Sequence, residues 1–295
     1  MSGLKILFVI NPVSGGKEKQ DWETAIRDYF KGRAETIEFY LLTNQNDKTS
    51  IRHYISLLKP DRVVAVGGDG TVKLIADLLK ETPIAMGIIP AGSANGMAKE
   101  LEIPLDVKDA LDVIVDGEVR KIDLLRINEE EICIHLSDVG LNAMLVKYFE
   151  RSKKRGMWGY GKAVFRMLWE KQKMRVKIRT EEGEFLRYAY MVVLANARKY
   201  GTGANINPDG DVTDGKFEIV IVRKLNVLEI IKAIFTDKSF HPRRIEVLTT
   251  TNVELNLHRK SYFQIDGEFI GKTLSVQARV LPRILNMVMR RPEKS

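Results

Sequence analysis

Four short aliphatic runs, Leu4–Ile10, Thr36–Leu42, Arg62–Val66 and Ile84–Ile89, alternate with longer stretches of helical spacing. The clearest helix follows Thr71, where Val72, Ile75, Ala76 and Leu79 fall at i, i+3, i+4 and i+7 on one face. Short Val/Ile/Leu runs without polar alternation read as strands buried on both faces. Four strand–helix alternations of this length restrict the fold to an open, mostly parallel sheet flanked by helices.

The character changes after Lys121. Strand signals then dominate, at Lys121–Ile127, Glu131–Ser137, Arg187–Ala195, Phe217–Val222, Arg244–Thr249, Val253–Leu257, Tyr262–Ile265, Leu274–Gln277 and Ile284–Met289. Turn clusters such as Glu181-Glu182-Gly183-Glu184 and Asp214-Gly215 join them, and helical stretches interrupt at Tyr160–Lys171 and Val227–Phe235. A chain of 295 residues fits two domains at roughly 150 residues each. We therefore expect an α/β domain over residues 1–122 and a β-rich sandwich over 123–295, whose last strand has the option of returning to the first domain. No internal repeat is present.

Composition narrows the class further. With 44% hydrophobic and 29% charged residues, the chain is neither disordered nor of low complexity. Its longest apolar runs are far too short to span a bilayer, and Ile6–Ile10 leads to no small-residue cleavage site, so it reads as a strand rather than a signal peptide. The single cysteine, Cys133, fits a reducing cytosol, and four scattered histidines lack metal-ligand spacing.

Three glycine-rich turns follow strands of the first domain, where an open α/β sheet places its ligands. They are Asn11-Pro12-Val13-Ser14-Gly15-Gly16-Lys17, Gly67-Gly68-Asp69-Gly70-Thr71 and Ala91-Gly92-Ser93-Ala94-Asn95-Gly96. Glycine lets backbone N–H groups approach an anion, and a following helix N-terminus adds about half a positive charge. Three such turns at consecutive strand ends make a phosphate cradle. It is not a Walker A loop, because Asn11 stands where glycine is required and Glu18 follows Gly16-Lys17. Nor does any strand end carry G-x-G-x-x-G, so P-loop ATPases and dinucleotide dehydrogenases are poor readings.

Asn11-Pro12 with Ser14-Gly15, then Gly67-Gly68-Asp69-Gly70-Thr71, then Gly92-Ser93-x-Asn95, resemble the catalytic-domain signature of diacylglycerol and sphingosine kinases in their soluble bacterial form. Asp214-Gly215-x-Phe217 and Asp266-Gly267-Glu268 resemble that family's C-terminal signature, so the likeness runs from Asn11 to Glu268. It implies an NAD-kinase-like α/β domain followed by a β-sandwich, and ATP- and Mg²⁺-dependent phosphorylation of a lipid hydroxyl. By motif, Asn11, Pro12, Ser14, Gly15 and Thr43 would contact the nucleotide, joined by Ser93 and Asn95 in the third loop. Gly67, Gly68, Gly70 and Thr71 would hold the phosphates. Asp69 would act on the Mg²⁺-phosphate or the attacking hydroxyl, and Glu268 would be the general base. The resemblance also implies a structural Mg²⁺ site at Asp211, Asp214 and the carbonyl of Lys216, with Asp123 linking it to the active site.

Chemistry supports these roles. Phosphoryl transfer depends on positioning and charge neutralisation more than on covalent help, and a carboxylate near the acceptor hydroxyl can orient it and take its proton. The chain departs from the family pattern at Gly96, where diacylglycerol-type members have Asp, and at Lys73-Leu74, where Asn-Glu is usual. These departures keep two alternatives open: a kinase of a soluble nucleotide such as NAD, which shares the Gly-Gly-Asp-Gly-Thr loop, and an inactive nucleotide- or lipid-binding regulator.

Charge is unevenly spread. The chain carries a formal +8, yet Lys147–Arg179 holds twelve basic residues opposed only by Glu150 and Glu170, which leaves the remainder slightly acidic. Aromatics interleave with these charges, among them Trp158, Tyr160 and Trp169. Such a segment suits an anionic membrane surface, where each cation contributes roughly 1 kcal/mol before screening. No helix-turn-helix, RNP or zinc-finger pattern accompanies it, so nucleic acid is not an expected partner. The expected protein is cytoplasmic, peripherally associated with the inner membrane surface and acting on a lipid substrate. The resemblance leaves room for a homodimer, which no residue here indicates.

Overall fold

The computed structural model describes residues 3–14, 21–141, 143, 173–200, 204–205, 210–224 and 245–291. It divides into two compact units, one formed by Met1–Ile122 with Arg283–Ser295 and the other by Asp123–Pro282. The helices expected at Tyr160–Lys171 and Val227–Phe235 lie outside the described residues.

The first unit alternates β1 (Lys5–Ile10), α1 (Trp22–Phe30), β2 (Thr36–Leu41), α2 (Asp47–Leu58), β3 (Arg62–Gly67), α3 (Asp69–Leu79) and β4 (Ala85–Pro90). A short α4 (Gly96–Glu100) and α5 (Val107–Asp116) follow. β1 pairs in parallel with β2 on one side and β3 on the other, and β3 pairs in parallel with β4. β1, β3 and β4 are buried almost throughout, which is why they read as unbroken aliphatic runs. Because β1 and β3 send their crossovers to opposite sides, the crevice at their carboxyl ends is a topological switch point. α3 buries Val72, Ile75, Ala76 and Leu79, the stripe read from spacing.

The second unit is built of strands. β5 (Glu118–Ile127) enters it and pairs with β6 (Glu131–Cys133). Next come β7 (Leu136–Gly140), β8 (Met174–Thr180), β9 (Gly183–Ala189) and β10 (Met191–Ala195). Short β11 (Lys199–Tyr200) and β12 (Ala204–Asn205) pair with each other, and β13 (Phe217–Val222), β14 (Ile245–Thr250), β15 (Asn252–Ile265) and β16 (Glu268–Met289) complete the order. β15 pairs with β8 over Glu254–Leu257 and with β7 over Phe263–Ile265, so one strand joins two arms of one continuous sheet. Between them packs a core containing Ile127, Val176, Ile178, Leu194, Phe217, Ile219, Leu255 and Phe263. This is the expected α/β domain followed by a β-sandwich.

Several strand limits differ from expectation for physical reasons. The run Glu131–Ser137 breaks because the N–H groups of Ile134, His135 and Leu136 turn to the Asp266 carboxylate, at 3.1, 2.9 and 3.3 Å. Val253–Leu257 and Tyr262–Ile265 are one strand, interrupted by a bulge whose charged residues hide its continuity. Leu274–Gln277 and Ile284–Met289 likewise belong to β16, which begins in the second unit and ends in the first, where Met287 lies in register with Met86 of β4. β8 was masked by basic residues. Arg175 and Arg179 point outward while Val176 and Ile178 are fully buried, a half-buried strand's alternation.

Candidate active site

In the first unit three loops meet at the switch point. After β1, Asn11 anchors its backbone on Val66 of β3, at 2.9 Å, and its side-chain oxygen accepts the Val13 N–H at 3.1 Å. The amide nitrogen of that side chain reaches across to the Thr71 hydroxyl at 3.4 Å. Ser14 donates its N–H to the Asn11 carbonyl at 3.1 Å, while Pro12 stands exposed. Gly15 lies outside the described residues.

After β3, Gly67 is buried and Gly68 caps α3 in an extended conformation. A side chain on Gly67 would meet the Thr71 hydroxyl at 2.4 Å. Thr71 is buried, whereas Gly70 is exposed at the helix start. The Thr71 and Val72 N–H groups of α3 bond the Gly68 carbonyl at 3.0 and 3.1 Å, and the N–H groups ahead of Thr71 stand at the helix start, where an α-helix offers donors without partners inside it. After β4, Gly92 and Asn95 close on each other: the Asn95 side chain accepts the Gly92 N–H and donates to its carbonyl, both at 2.8 Å. Asn95 holds φ of +51°, a left-handed conformation that asparagine tolerates. Ser93 is exposed at the tip of the same turn.

The second and third loops touch backbone to backbone. A Cβ on Gly92 would fall 2.5 Å from the Gly68 Cα. The Asp69 carboxylate ties them further, accepting the Met97 N–H at the start of α4 at 3.3 Å. Thr43 follows Leu42, whose N–H bonds Ile10, so it stands beside the first loop. Its own N–H and hydroxyl both go to Asp47, at 3.0 and 2.9 Å. Burial pushes the Asp47 carboxyl upward, but the donors from Thr43, Tyr40 and Asn44 outweigh this and hold it below the usual range. Asn11, Gly67, Gly68, Asp69, Gly70, Thr71, Gly92, Ser93 and Asn95 thus share one crevice, and Thr43 flanks it with an engaged hydroxyl.

In the second unit the remaining residues form two groups. Asp123 is fully buried and accepts the Gly215 N–H at 2.6 Å, while its N–H bonds the Val212 carbonyl at 2.7 Å. It therefore holds the turn that carries Asp211, Asp214 and Lys216. On that turn Asp211 accepts the N–H and hydroxyl of Thr213 at 2.9 and 2.7 Å, and Asp214 accepts the Lys216 N–H at 2.9 Å. These bonds run through one oxygen of each exposed carboxylate. Among the described residues no group of three or more His, Cys, Asp or Glu could hold a metal ion. A cation here would rely on two carboxylates, the Lys216 carbonyl and water, a donor set that fits Mg²⁺.

Glu268 is exposed at the first position of β16, beyond a two-residue turn in which Asp266 and Gly267 have φ of +49° and +81°. That turn is held from three sides: the Asp266 carboxylate takes the backbone donors between β6 and β7, the Asp266 N–H bonds the Leu136 carbonyl at 2.9 Å, and Gly267 donates to the Gln264 side chain at 2.7 Å. Gln264 donates in turn to the buried Asp138. Sequence reasoning did not assign Asp138, Asn196 and Gln264. Asn196, 1% exposed, donates to the carbonyls of Asp123 and Ile134 at 2.9 and 3.0 Å, and its own oxygen has no partner among the described residues. The one available signal was a polar residue ending the apolar run Ala189–Ala195.

The fold defines an α/β domain followed by a β-sandwich, and comparison with known proteins places it. The diacylglycerol kinase catalytic domain matches residues 5–127, and the YegS C-terminal NAD kinase beta sandwich-like domain matches residues 137–289. The chain belongs to the diacylglycerol kinase and YegS-like lipid kinase family. A protein of Chromohalobacter salexigens named "Probable lipid kinase YegS-like" is 30% identical over 216 residues, covering 70% of this chain and 69% of that one. A diacylglycerol kinase of Staphylococcus aureus strain Newman is 28% identical over 275 residues, covering 90% and 86%. A crystal structure of a diacylglycerol kinase from Bacillus anthracis shares the fold, with a TM-score of 0.74 at 18% identity over 99% of this chain and 98% of that one.

Proposed function

We propose that this lipid kinase transfers the γ-phosphoryl group of ATP to the hydroxyl of a diacylglycerol or sphingoid-like lipid at a membrane surface, with Mg²⁺. The observation that carries this reading is the convergence of three loops on one switch-point crevice, with Gly68 against Gly92 and the Asp69 carboxylate at its edge. Bound Mg²⁺ supplies charge neutralisation at the phosphates. The N–H groups at the start of α3 would receive phosphate oxygens, Asn11 and Thr71 tie the first loop to the second and would hold the nucleotide there, and Asp69 would act on the Mg²⁺-phosphate. Glu268 orients the acceptor hydroxyl and takes its proton, held at a constant place by the Asp266 anchor. Asp211, Asp214 and the Lys216 carbonyl hold a structural Mg²⁺, which Asp123 couples to the rest of its unit.

The test is transfer of labelled phosphate from ATP into a total lipid extract, with the product identified by mass. Lipid-dependent ATP consumption and a phosphorylated lipid are expected. Phosphorylation of NAD alone would support a soluble-nucleotide kinase, and nucleotide binding without turnover would support a regulator. Glu268→Gln should lower turnover by about 10²-fold or more while leaving ATP affinity unchanged.

A further inference from the structure

The second unit carries a cleft of about 610 Å³ whose lining, among the described residues, includes no residue of the motifs above. Lys173 and Arg175 come from the start of β8, Tyr188 and Tyr190 from the end of β9 and just after it, and Arg259 and Lys260 from β15. The cations are gathered by the bulge in β15. Asn256 pairs with Ser275 and Ser261 with Thr273, so three extra residues of β15 are looped out, and His258, Arg259 and Lys260 lie within that irregularity. The same strand leaves β8 after Leu257 to join β7, which opens the corner that forms the cleft.

Two features separate this cleft from an ordinary basic face. First, among the described residues no Asp or Glu lines it, and none of Lys173, Arg175, Arg259 and Lys260 pairs with a carboxylate. Farther along β8 the opposite holds: Lys177 pairs with Glu184 at 2.8 Å, and Arg179 with Glu184 and Glu254 at 3.3 and 2.9 Å. Among the described residues, the cations toward the end of β8 are thus neutralised and those at its start have no carboxylate partner. Second, the cleft combines these charges with phenolic donors and aromatic faces. The Lys173 ammonium lies 5.6 Å from the Tyr190 ring centroid. A concave surface with charge of a single sign focuses potential and concentrates anions. Guanidinium, ammonium and phenol donors are the set that recognises phosphate oxygens.

We propose that this cleft is a phosphate-binding site, taking a phosphate group from an anionic phospholipid headgroup or from a free phosphate. Its geometry favours a group recognised individually over diffuse attraction to a charged plane, because these residues line a concavity. It binds without turnover, so its test stands apart from the kinase reading.

Binding of the full chain to vesicles of phosphatidylcholine alone, and of equimolar phosphatidylcholine and phosphatidylglycerol, is measured by co-sedimentation. A parallel calorimetric titration uses inorganic phosphate, with chloride at matched ionic strength as control. The variant is Arg259→Gln/Lys260→Gln, both exposed residues. Lys177→Gln/Arg179→Gln removes the same charge outside the cleft. If a lipid headgroup is the source, the cleft variant loses about 25-fold in affinity for anionic vesicles, and the control variant loses less than about threefold. If free phosphate is the source, phosphate binds the wild-type chain and not the cleft variant, while vesicle binding is equal in both. Equal losses in the two variants, or none in either assay, would overturn the proposal. Unchanged circular dichroism spectra establish that both variants fold.

Discussion

At residue scale the crevice is governed by close approaches that only particular side chains allow. Gly92 must lack a Cβ because Gly68 Cα lies 2.5 Å from where it would stand and the Asn95 side-chain oxygen 2.9 Å. Gly92→Ala should therefore push the second and third loops apart, costing about 1–3 kcal/mol in urea unfolding and weakening ATP binding more than stability alone explains. Asp266 has a different task from its neighbour Glu268. Its carboxylate accepts three backbone N–H groups, so Asp266→Ala leaves them buried without an acceptor and should destabilise the chain by about 3 kcal/mol in the same measurement. Glu268→Gln should leave stability unchanged and remove turnover. The motif residues stood out in the sequence because glycine and aspartate at strand ends are conspicuous. Asp266 was visible as part of a motif, but its role was not, since its partners lie about 130 positions away.

At the scale of elements, turn and cap chemistry sets the limits. Asp106 caps α5 by accepting the N–H groups of Lys108 and Asp109 at 2.9 and 3.1 Å, so Asp106→Ala should cost about 1 kcal/mol, read as a lowered Tm. The turn between β8 and β9 is tied to the turn between β14 and β15 by Glu181, which accepts from the Thr250 and Thr251 hydroxyls and, at 2.8 Å, from Asn252. Partial burial pushes this carboxyl upward, but the hydroxyl donors prevail and pull it down to about 2 from an ordinary 4.5. The folded form thus prefers the ionised group. Its contribution is complete above pH 4.5 and is lost as pH falls toward 2. Solvent screening keeps it below about 1 kcal/mol. The stability gap between wild type and Glu181→Gln should accordingly close over that interval. Hydrophobic period located most elements; it missed β8, where outward Lys and Arg residues concealed a strand whose inward residues are buried, and it read β15 as two strands because a bulge interrupts it.

At the scale of the molecule, the chain's last stretch completes its first unit. Leu285, Met287 and Val288 are buried, and Met287 lies beside Met86 of β4. Truncation after Pro282 should therefore abolish cooperative unfolding of the first unit, seen as a lost transition in denaturant and lost ATP binding. The sequence by itself determined the classes of element, the α/β-then-sandwich order and the three glycine loops, because burial on both faces, helical period and glycine at strand ends are local patterns. Tertiary structure alone decided which loops touch, which carboxylate anchors the Glu268 turn and which cations lack a carboxylate partner among the described residues. Those depend on residues far apart in sequence meeting in space: Gly68 with Gly92, Asp266 with Ile134 to Leu136, and Lys173 with Arg259 across one cleft. The charge surplus was legible from composition. Which cations lack a carboxylate partner among the described residues was not, because pairing is settled by the register of strands.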